Sequence, residues 1–92
     1  MEKYTEIKEL HEYCKKIKVI SILEPIFDGY AIRFPNGSDF IQHRGSYGAE
    51  HGCVEPAIGN CKYDYTAVTL ERAKKLVRRY KRKLNKGGEL HG

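Results

Sequence analysis

The stretch VISILEPIFDGYAIRFPNGSDFIQH, residues 19–43, decides the fold, because turn signals divide its apolar residues into three segments. Asp28-Gly29 lies between two apolar runs, and both residues tolerate the positive φ that tight hairpins require. Pro35-Asn36-Gly37-Ser38 is a second turn signal, in which proline presets φ and glycine supplies a left-handed position. The sequence therefore predicts an antiparallel meander with strands at residues 18–27, 30–34 and 39–43.

The middle segment of this meander alternates in side-chain character. Tyr30, Ile32 and Phe34 fall on one face of the predicted strand, with smaller or charged residues on the other. Such alternation is typical of a half-buried strand. Pro25 has no backbone N–H for a central ladder, so it predicts that the first strand lies at the edge of the sheet or is bulged.

A helical period precedes the meander, in TEIKELHEYCKKI at residues 5–17. Apolar residues recur there at i, i+3, i+7 and i+10, which places them on one face of an α-helix. These residues are Ile7, Leu10, Cys14 and Ile17. Thr5 is the predicted N-cap, because its hydroxyl can accept a hydrogen bond from the first turn.

A second helical period, TLERAKKLVRRYKRKLNKGG, occupies residues 69–88. Thr69 is its predicted N-cap and Gly87-Gly88 its predicted end. The apolar stripe consists of Ala73, Leu76, Val77, Tyr80 and Leu84, and the remaining face is almost entirely Lys and Arg. Residues 87–92 are predicted to form a flexible tail.

These elements predict an α+β fold, in which two helices cover one face of a three- to four-stranded antiparallel sheet. Residues 1–92 form one predicted domain of order α-β-β-β-loop-α, with a long glycine-rich loop at residues 44–62. A helical turn at residues 55–58 is one option within this loop. The alternation of Tyr63, Tyr65 and Ala67 favours a brief fourth strand.

Composition excludes several classes of protein. Apolar residues make up 40% of the chain and charged residues 32%, which favours a folded domain with a very polar surface. No apolar run is long enough for a bilayer, and MEKYTEIKEL does not resemble a signal peptide. The three cysteines, Cys14, Cys53 and Cys61, are odd in number, which argues against a disulfide framework. We therefore expect a cytoplasmic protein that does not bind membranes.

The net charge of +5 is unevenly distributed. Residues 70–92 carry nine Lys and Arg against two Glu, a net charge of +7, whereas residues 1–69 carry eight bases against ten acids. A basic helix attracts polyanions and gives salt-dependent binding. The predicted nucleic-acid-binding residues are Arg72, Lys75, Arg78, Arg79, Arg82 and Lys83. Tyr47, Tyr63 and Tyr65 would add base-stacking platforms if they lie beside this helix.

The glycine-rich loop also contains metal-ligand residue types. His43, His51, Cys53 and Cys61 are spaced H-x7-H-x-C-x7-C, and each can ligate zinc. This spacing matches no standard zinc finger, and neither cysteine belongs to a CxxC pair. We therefore predict no bound metal and no cofactor.

The same loop offers parts of a catalytic site. Cys53 and either His43 or His51 have the residue types of a thiolate–imidazole pair. Glu50, Glu55 or Asp64 would orient the imidazole, and Tyr47 would serve as an acid. No cysteine-hydrolase signature is present, and Ser46 lies in RGSYG instead of G-x-S-x-G. We therefore expect no enzymatic activity.

A phosphate cradle is a further option for this loop, because glycines allow backbone N–H groups to approach an anion. Gly45, Gly48 and Gly52 provide the glycines, with Arg44 and Ser46 beside them. Neither the P-loop nor the dinucleotide-binding glycine pattern is present. A small phosphate-ligand binder or enzyme centred on residues 43–55 therefore ranks third among the possible functions.

Two segments, YDYTAVTLERAKKLVRRYK at residues 63–81 and HRGSYGAEHGCVEPAI at residues 43–58, resemble small uncharacterised proteins of tailed phages and prophages. The resemblance implies an accessory protein of the bacterial cytoplasm. Such proteins bind nucleic acid, a nucleoprotein or a host protein. We predict nucleic-acid or nucleoprotein binding through the basic helix. The alternative is an anti-CRISPR-like inhibitor of a host enzyme or defence complex, with Arg44, Ser46, Tyr47, Glu50 and His51 as its recognition surface.

Overall fold

The computed structural model describes residues 3–58 and 66–86 and confirms the predicted α+β fold. In chain order the elements are α1 (Thr5–Lys16), β1 (Ile22–Ile26), β2 (Gly29–Arg33), β3 (Asp39–Gln42), a 3₁₀ turn (Ala49–His51), β4 (Glu55–Ala57), α2 (Leu70–Arg79) and α3 (Lys81–Asn85). The three predicted strands of the meander are present, and the first is shorter than the sequence indicated. None of the helices in these two ranges is long and apolar enough to cross a membrane.

The four strands form an antiparallel sheet in the order β1-β2-β3-β4. A row of paired residues crosses the sheet through Leu23, Ile32, Phe40 and Pro56. Both edge strands contain a proline, which an edge tolerates because one side of its backbone has no ladder partner. The prediction that Pro25 marks an edge strand is confirmed.

The core lies between the sheet and the helices. α1 packs across β1, β2 and β3, and α2 packs against α1. The rings of Phe34 and Phe40 meet edge to face, with centroids 5.9 Å apart. The helices contribute buried residues from their apolar stripes, namely Ile7, Leu10 and Cys14 from α1, Ala73, Leu76 and Val77 from α2, and Leu84 from α3.

The first hairpin turn lies one residue earlier than predicted. β1 pairs with β2 down to Ile26 and Gly29, so the connecting residues are Phe27 and Asp28. Phe27, not glycine, takes the left-handed conformation, with φ of 51°. Gly29 lies in the strand, where an added Cβ would be 2.0 Å from the carbonyl oxygen of Gln42. Gly29 is therefore required for close strand packing and not for the turn.

The second turn forms as predicted. Gly37 has φ of 89°, and its N–H donates to the carbonyl of Phe34 at 3.0 Å. The Asn36 side chain accepts from the N–H of Ser38 at 2.9 Å. This turn fixes the register of β2 against β3 through local hydrogen bonds.

The described part of the long loop predicted at residues 44–62 contains regular structure. Its elements are the 3₁₀ turn and strand β4, so residues 55–57, where a helical turn was one option, form a strand instead. Pairing with β3 decides this conformation, because residues 39–41 supply the ladder partners. Of the predicted strand at residues 63–67, Tyr63 and Tyr65 lie outside the described residues. Among the described residues that follow, Val68 forms an isolated antiparallel bridge with Val54.

Gln42 of β3 completes the first turn of α1. Its Oε1 accepts from the N–H of Ile7 at 3.0 Å, and its Nε2 donates to Oε1 of Glu6 at 3.0 Å. Gln42 is fully buried. The prediction that Thr5 caps this helix is wrong: the N-cap is Tyr4, with φ of 59°, and it makes no side-chain capping bond. The acceptor comes instead from a strand that lies 35 residues further along the chain.

The C-terminal helix begins as predicted but is not continuous. The Thr69 side chain accepts from the N–H of Arg72, which confirms the predicted N-cap. Regular helix stops at Arg79 and resumes at Lys81, with Tyr80 between them at φ of −101°. The predicted glycine stop and the tail at residues 87–92 lie outside the described residues.

We predict that Gln42→Leu destabilises the protein by about 1–3 kcal/mol, because the N–H of Ile7 then stays buried without an acceptor. Thr5→Ala should change the free energy of unfolding by less than about 0.5 kcal/mol, since its hydroxyl caps nothing. Urea unfolding of both variants measures these values. An equal loss from the two substitutions would contradict the role of Gln42.

Candidate nucleic-acid interface

The buried stripe of α2 and α3 fixes which cations face outward. Ala73, Leu76, Val77 and Leu84 are buried in the core, and Tyr80 packs at its margin. Burial of this stripe sets the rotation of both helices, because exposing it would lose the hydrophobic contribution of every residue on it. The polar positions are therefore held on the opposite side.

One flank of α2 faces α1 and is used for packing. Lys74 pairs with Glu9 at 3.4 Å, and Nη1 of Arg78 donates to the Tyr13 hydroxyl at 2.7 Å. Both cations also lie over the Tyr13 ring, at 5.5 Å and 5.9 Å from its centroid. Arg78, which the sequence assigned to the nucleic-acid-binding set, therefore contacts α1.

Of the seven remaining cations of α2, α3 and Lys86, all but the half-buried Lys81 form a surface that we call the basic strip. Its members are all exposed: Arg72, Lys75, Arg79, Arg82, Lys83 and Lys86. They recur at spacings of three and four residues, which brings side chains to one side of a helix. Backbone bonds from Tyr80 to Leu76 and from Leu84 to Tyr80 continue the helical ladder between α2 and α3. The strip therefore runs across both helices.

Four cations of the basic strip are not paired with acids in the described chain. Within residues 3–58 and 66–86, Lys75, Arg79, Arg82 and Lys86 make no ion pair with an acidic side chain. Arg79 and Lys83 lie 5.8 Å and 5.9 Å from the centroid of the Tyr80 ring. The strip thus combines four cations that have no acidic partner in the described chain with one aromatic ring.

Asn85 fixes the far end of the strip. Its Oδ1 accepts from the N–H of Ile20 at 2.7 Å, and its Nδ2 donates to the carbonyl of Lys18 at 3.2 Å. Both partners belong to the connection between α1 and β1. α3 is therefore attached to the body of the protein through Asn85, while Arg82, Lys83 and Lys86 are exposed.

The glycine-rich loop is held by its own hydrogen bonds. The N–H groups of residues 43–47 all donate within the chain. From residue 43 to residue 47, the acceptors are the Ser46 hydroxyl, the Asp28 carboxylate, the His43 ring, the His43 carbonyl and the Glu55 carboxylate. Consecutive free N–H groups are what an anion nest requires. The described loop therefore does not form the phosphate cradle that its glycines suggested.

The predicted recognition residues of this loop differ in accessibility. Arg44, Glu50 and His51 are exposed, and Tyr47 is 68% exposed. Ser46 is buried, and its hydroxyl both accepts from the N–H and donates to the carbonyl of His43. Ser46 thus shapes the loop. The apolar residues Tyr47, Val54 and Ile58 predict that this loop is anchored, with Tyr47 or Ile58 buried. Val54 and Ile58 are fully buried, which confirms this prediction, whereas Tyr47 is exposed.

The candidate catalytic pair does not form in the described part of the chain. Cys53 makes no hydrogen bond with His43 or His51 there. The ring of His43 instead accepts from Gly45 through Nδ1 at 2.9 Å, and His51 lies 3.7 Å from the exposed Glu50. Cys14 is enclosed in the core, where burial raises the pKa of its thiol to about 12.

The candidate zinc ligands are likewise not gathered among the described residues. In residues 3–58 and 66–86, no group of three or more His, Cys, Asp or Glu side chains is arranged to hold a metal ion. Cys61, the fourth member of the proposed set, lies outside these ranges. The absence of a metal stays a prediction.

Two residues of interest were missed in the site prediction. Lys86 extends the basic strip, and its spacing from Arg82 and Lys83 was a usable signal. Phe27 was treated as part of a strand, yet it is 82% exposed at the first hairpin turn. No sequence pattern marked Phe27, because its position depends on the exact register of the turn.

Comparison with known proteins adds no functional assignment. The chain matches no protein-family model, no curated protein and no solved structure. Function must therefore be argued from the geometry and charge of the surface.

Asp28 anchors the loop beside Phe27. Its Oδ1 accepts from the N–H of Arg44 at 2.9 Å, and its Oδ2 accepts from the Tyr4 hydroxyl at 3.1 Å. The backbone hydrogen bond from Arg44, helped by the bond from Tyr4, lowers the pKa of the Asp28 carboxyl below its ordinary value.

We predict that Asp28→Asn destabilises the protein at neutral pH but not in acid. Because the folded pKa of Asp28 is lowered, its contribution is present above the unfolded pKa of about 3.9 and is lost as pH falls through the folded pKa. Urea unfolding of both proteins at pH 7 and at about pH 2.5 measures this. A stability difference that does not change with pH would contradict the assignment.

Proposed function

We propose that this protein binds nucleic acid, alone or as part of a nucleoprotein, through the basic strip of α2 and α3. The observation that carries the proposal is that the C-terminal cations fall into two groups. Lys74 and Arg78 contact α1, whereas Lys75, Arg79, Arg82 and Lys86 have no acidic partner in the described chain.

Such clustering is costly without a polyanion. Like charges three or four residues apart on a helix repel one another, and the strip repeats that spacing along its length. A surface that served only solubility would intersperse acids among these cations. Phosphates would remove the repulsion, and binding would release their condensed counterions.

The strip also has dimensions that suit a phosphate backbone. From Arg72 to Lys86 the helical path is roughly 20 Å, at about 1.5 Å per residue. Anchoring of both helices through their apolar stripe and Asn85 means that little backbone order has to be gained on binding. The proposal therefore requires no rearrangement of the fold.

A second candidate is a protein partner bound by the glycine-rich loop, as for an inhibitor of a host enzyme or defence complex. The observation that favours it is the 68% exposure of Tyr47 on a loop fixed by hydrogen bonds. Exposed aromatic residues on rigid loops are frequent anchors of protein interfaces. An origin in a phage and a cytoplasmic location stay predictions.

We predict that Arg79→Glu combined with Arg82→Glu abolishes binding to mixed-sequence oligonucleotides at moderate salt. Fluorescence anisotropy of labelled single- and double-stranded oligonucleotides measures the affinity. The charge-matched control is Lys15→Glu with Lys16→Glu, two exposed residues of α1 outside the strip. The strip variant should keep the stability of the parent, because neither side chain is buried. The control should lose no more than about 1 kcal/mol, because Lys15 pairs with Glu12 at the surface.

The salt dependence gives an independent measure. If four to six cations of the strip contact duplex phosphates, log K should fall with log salt at a slope of roughly −4 to −5. No detectable binding of either oligonucleotide at about 50 mM salt would contradict the proposal. A protein captured from nuclease-treated bacterial lysate through the glycine-rich loop would then favour the second candidate.

A further inference from the structure

Two exposed aromatic residues stand out near the hairpin and loop end of the molecule. Phe27 is 82% exposed and Tyr47 is 68% exposed. Phe27 also has φ of 51°, a left-handed conformation that costs a bulky residue free energy and that glycine adopts readily. Neither solubility nor folding favours a phenylalanine there, which suggests that its ring has a use in binding.

The loop connects these aromatics to the start of the basic strip. The Phe27 ring packs against His43 with centroids 4.9 Å apart, and a depression of about 190 Å³ is lined by these two residues with Arg44 and Gly45. At the other end of the loop, Gly48 packs so close to Ala67 that an added Cβ would lie 2.8 Å from the Ala67 Cβ. Ala67 and Arg72 line one further depression of about 300 Å³, which also contains Thr66, Val68 and Thr69.

Arg44 lies between the two aromatics in sequence and is exposed. Its backbone is fixed by Asp28, while its guanidinium makes no ion pair in the described ranges. Phe27, Arg44 and Tyr47 thus place two exposed rings and one cation on the hairpin turn and the loop that contacts it. The contact of Gly48 with Ala67 brings the same loop to the segment that precedes Arg72. Proteins that bind single strands combine such groups, because bases stack on the rings and phosphates pair with the cations.

We propose that the ligand of this protein is a single-stranded nucleic acid, whose backbone follows the basic strip to Arg72 and continues over the glycine-rich loop. Tyr47 and Phe27 stack unpaired bases, and Arg44 pairs with a phosphate between them. This inference rests on the proposed function and narrows its ligand class. A duplex offers no unstacked base to either ring, so it uses only the strip.

Asp28 and Glu50 are acids beside this path, and Glu50, which does not hold the loop through Arg44, gives the inference a test in which a substitution strengthens binding. Glu50 is exposed and lies within the same loop, where its charge opposes a phosphate. Glu50→Gln should therefore tighten single-strand binding by a few-fold, at about 50 mM salt, and leave duplex binding nearly unchanged.

The main experiment compares Phe27→Gly and Tyr47→Ala for binding to a 20-nucleotide single strand, DNA or RNA, and to the matching duplex. Each variant should weaken single-strand binding by at least about fivefold and leave duplex binding unchanged. Phe27→Gly should also be more stable than the parent, because glycine relieves the left-handed strain. Loss of binding by Phe27→Gly therefore cannot be attributed to unfolding.

Ile22→Ala is the matched control, because Ile22 is an exposed apolar residue of β1 away from the loop. Tyr47→Trp should retain binding, and since the chain has no tryptophan, its fluorescence reports stacking directly by quenching. Unchanged single-strand affinity in both aromatic variants, with binding still abolished by the strip variant, would overturn this inference alone. No binding of any oligonucleotide by the parent would overturn the proposed function as well.

Discussion

Burial of the apolar stripe on α2 and α3 is the constraint on which the surface of this protein depends. Leu76, Val77 and Leu84 enter the core, and this sets the rotation of both helices. Lys74 and Arg78 are thereby brought to α1, where they pair with Glu9 and Tyr13. Six of the other seven cations are left exposed as the basic strip. The charge pattern of the surface is therefore a consequence of packing in the core.

The fold could be predicted where its determinants are local. The turn at Gly37, the strand alternation and the two helical stripes all follow from residues within a few positions of one another. Two features depended on distant partners and were not predictable. Gln42 replaces Thr5 as the acceptor at the start of α1, and β3 holds residues 55–57 as a strand despite Pro56. A single sequence contains no signal for either pairing.

The candidate site was predictable to a similar degree. Clustering of Lys and Arg marked the C-terminal helix, and the helical period placed most of them on the polar face. The sequence did not separate Arg78 from its neighbours, because that distinction depends on the position of α1. For the glycine-rich loop, an anion site was only the third-ranked option. Its glycines suggested an anion site, yet Asp28, Glu55 and Ser46 take up the N–H groups that an anion would need.

The most direct test of the central claim follows the side chains of individual arginines during titration with an oligonucleotide. In ¹H–¹⁵N spectra, the Nε–H signals of Arg79 and Arg82 should shift, because both guanidinium groups face outward without an acidic partner in the described chain. The Nε–H signals of Arg33 and Arg78 should not shift. Arg33 is paired with Glu24 and Asp39, and Arg78 is hydrogen-bonded to Tyr13. Equal shifts of all four arginines, or of none, would contradict binding through the basic strip.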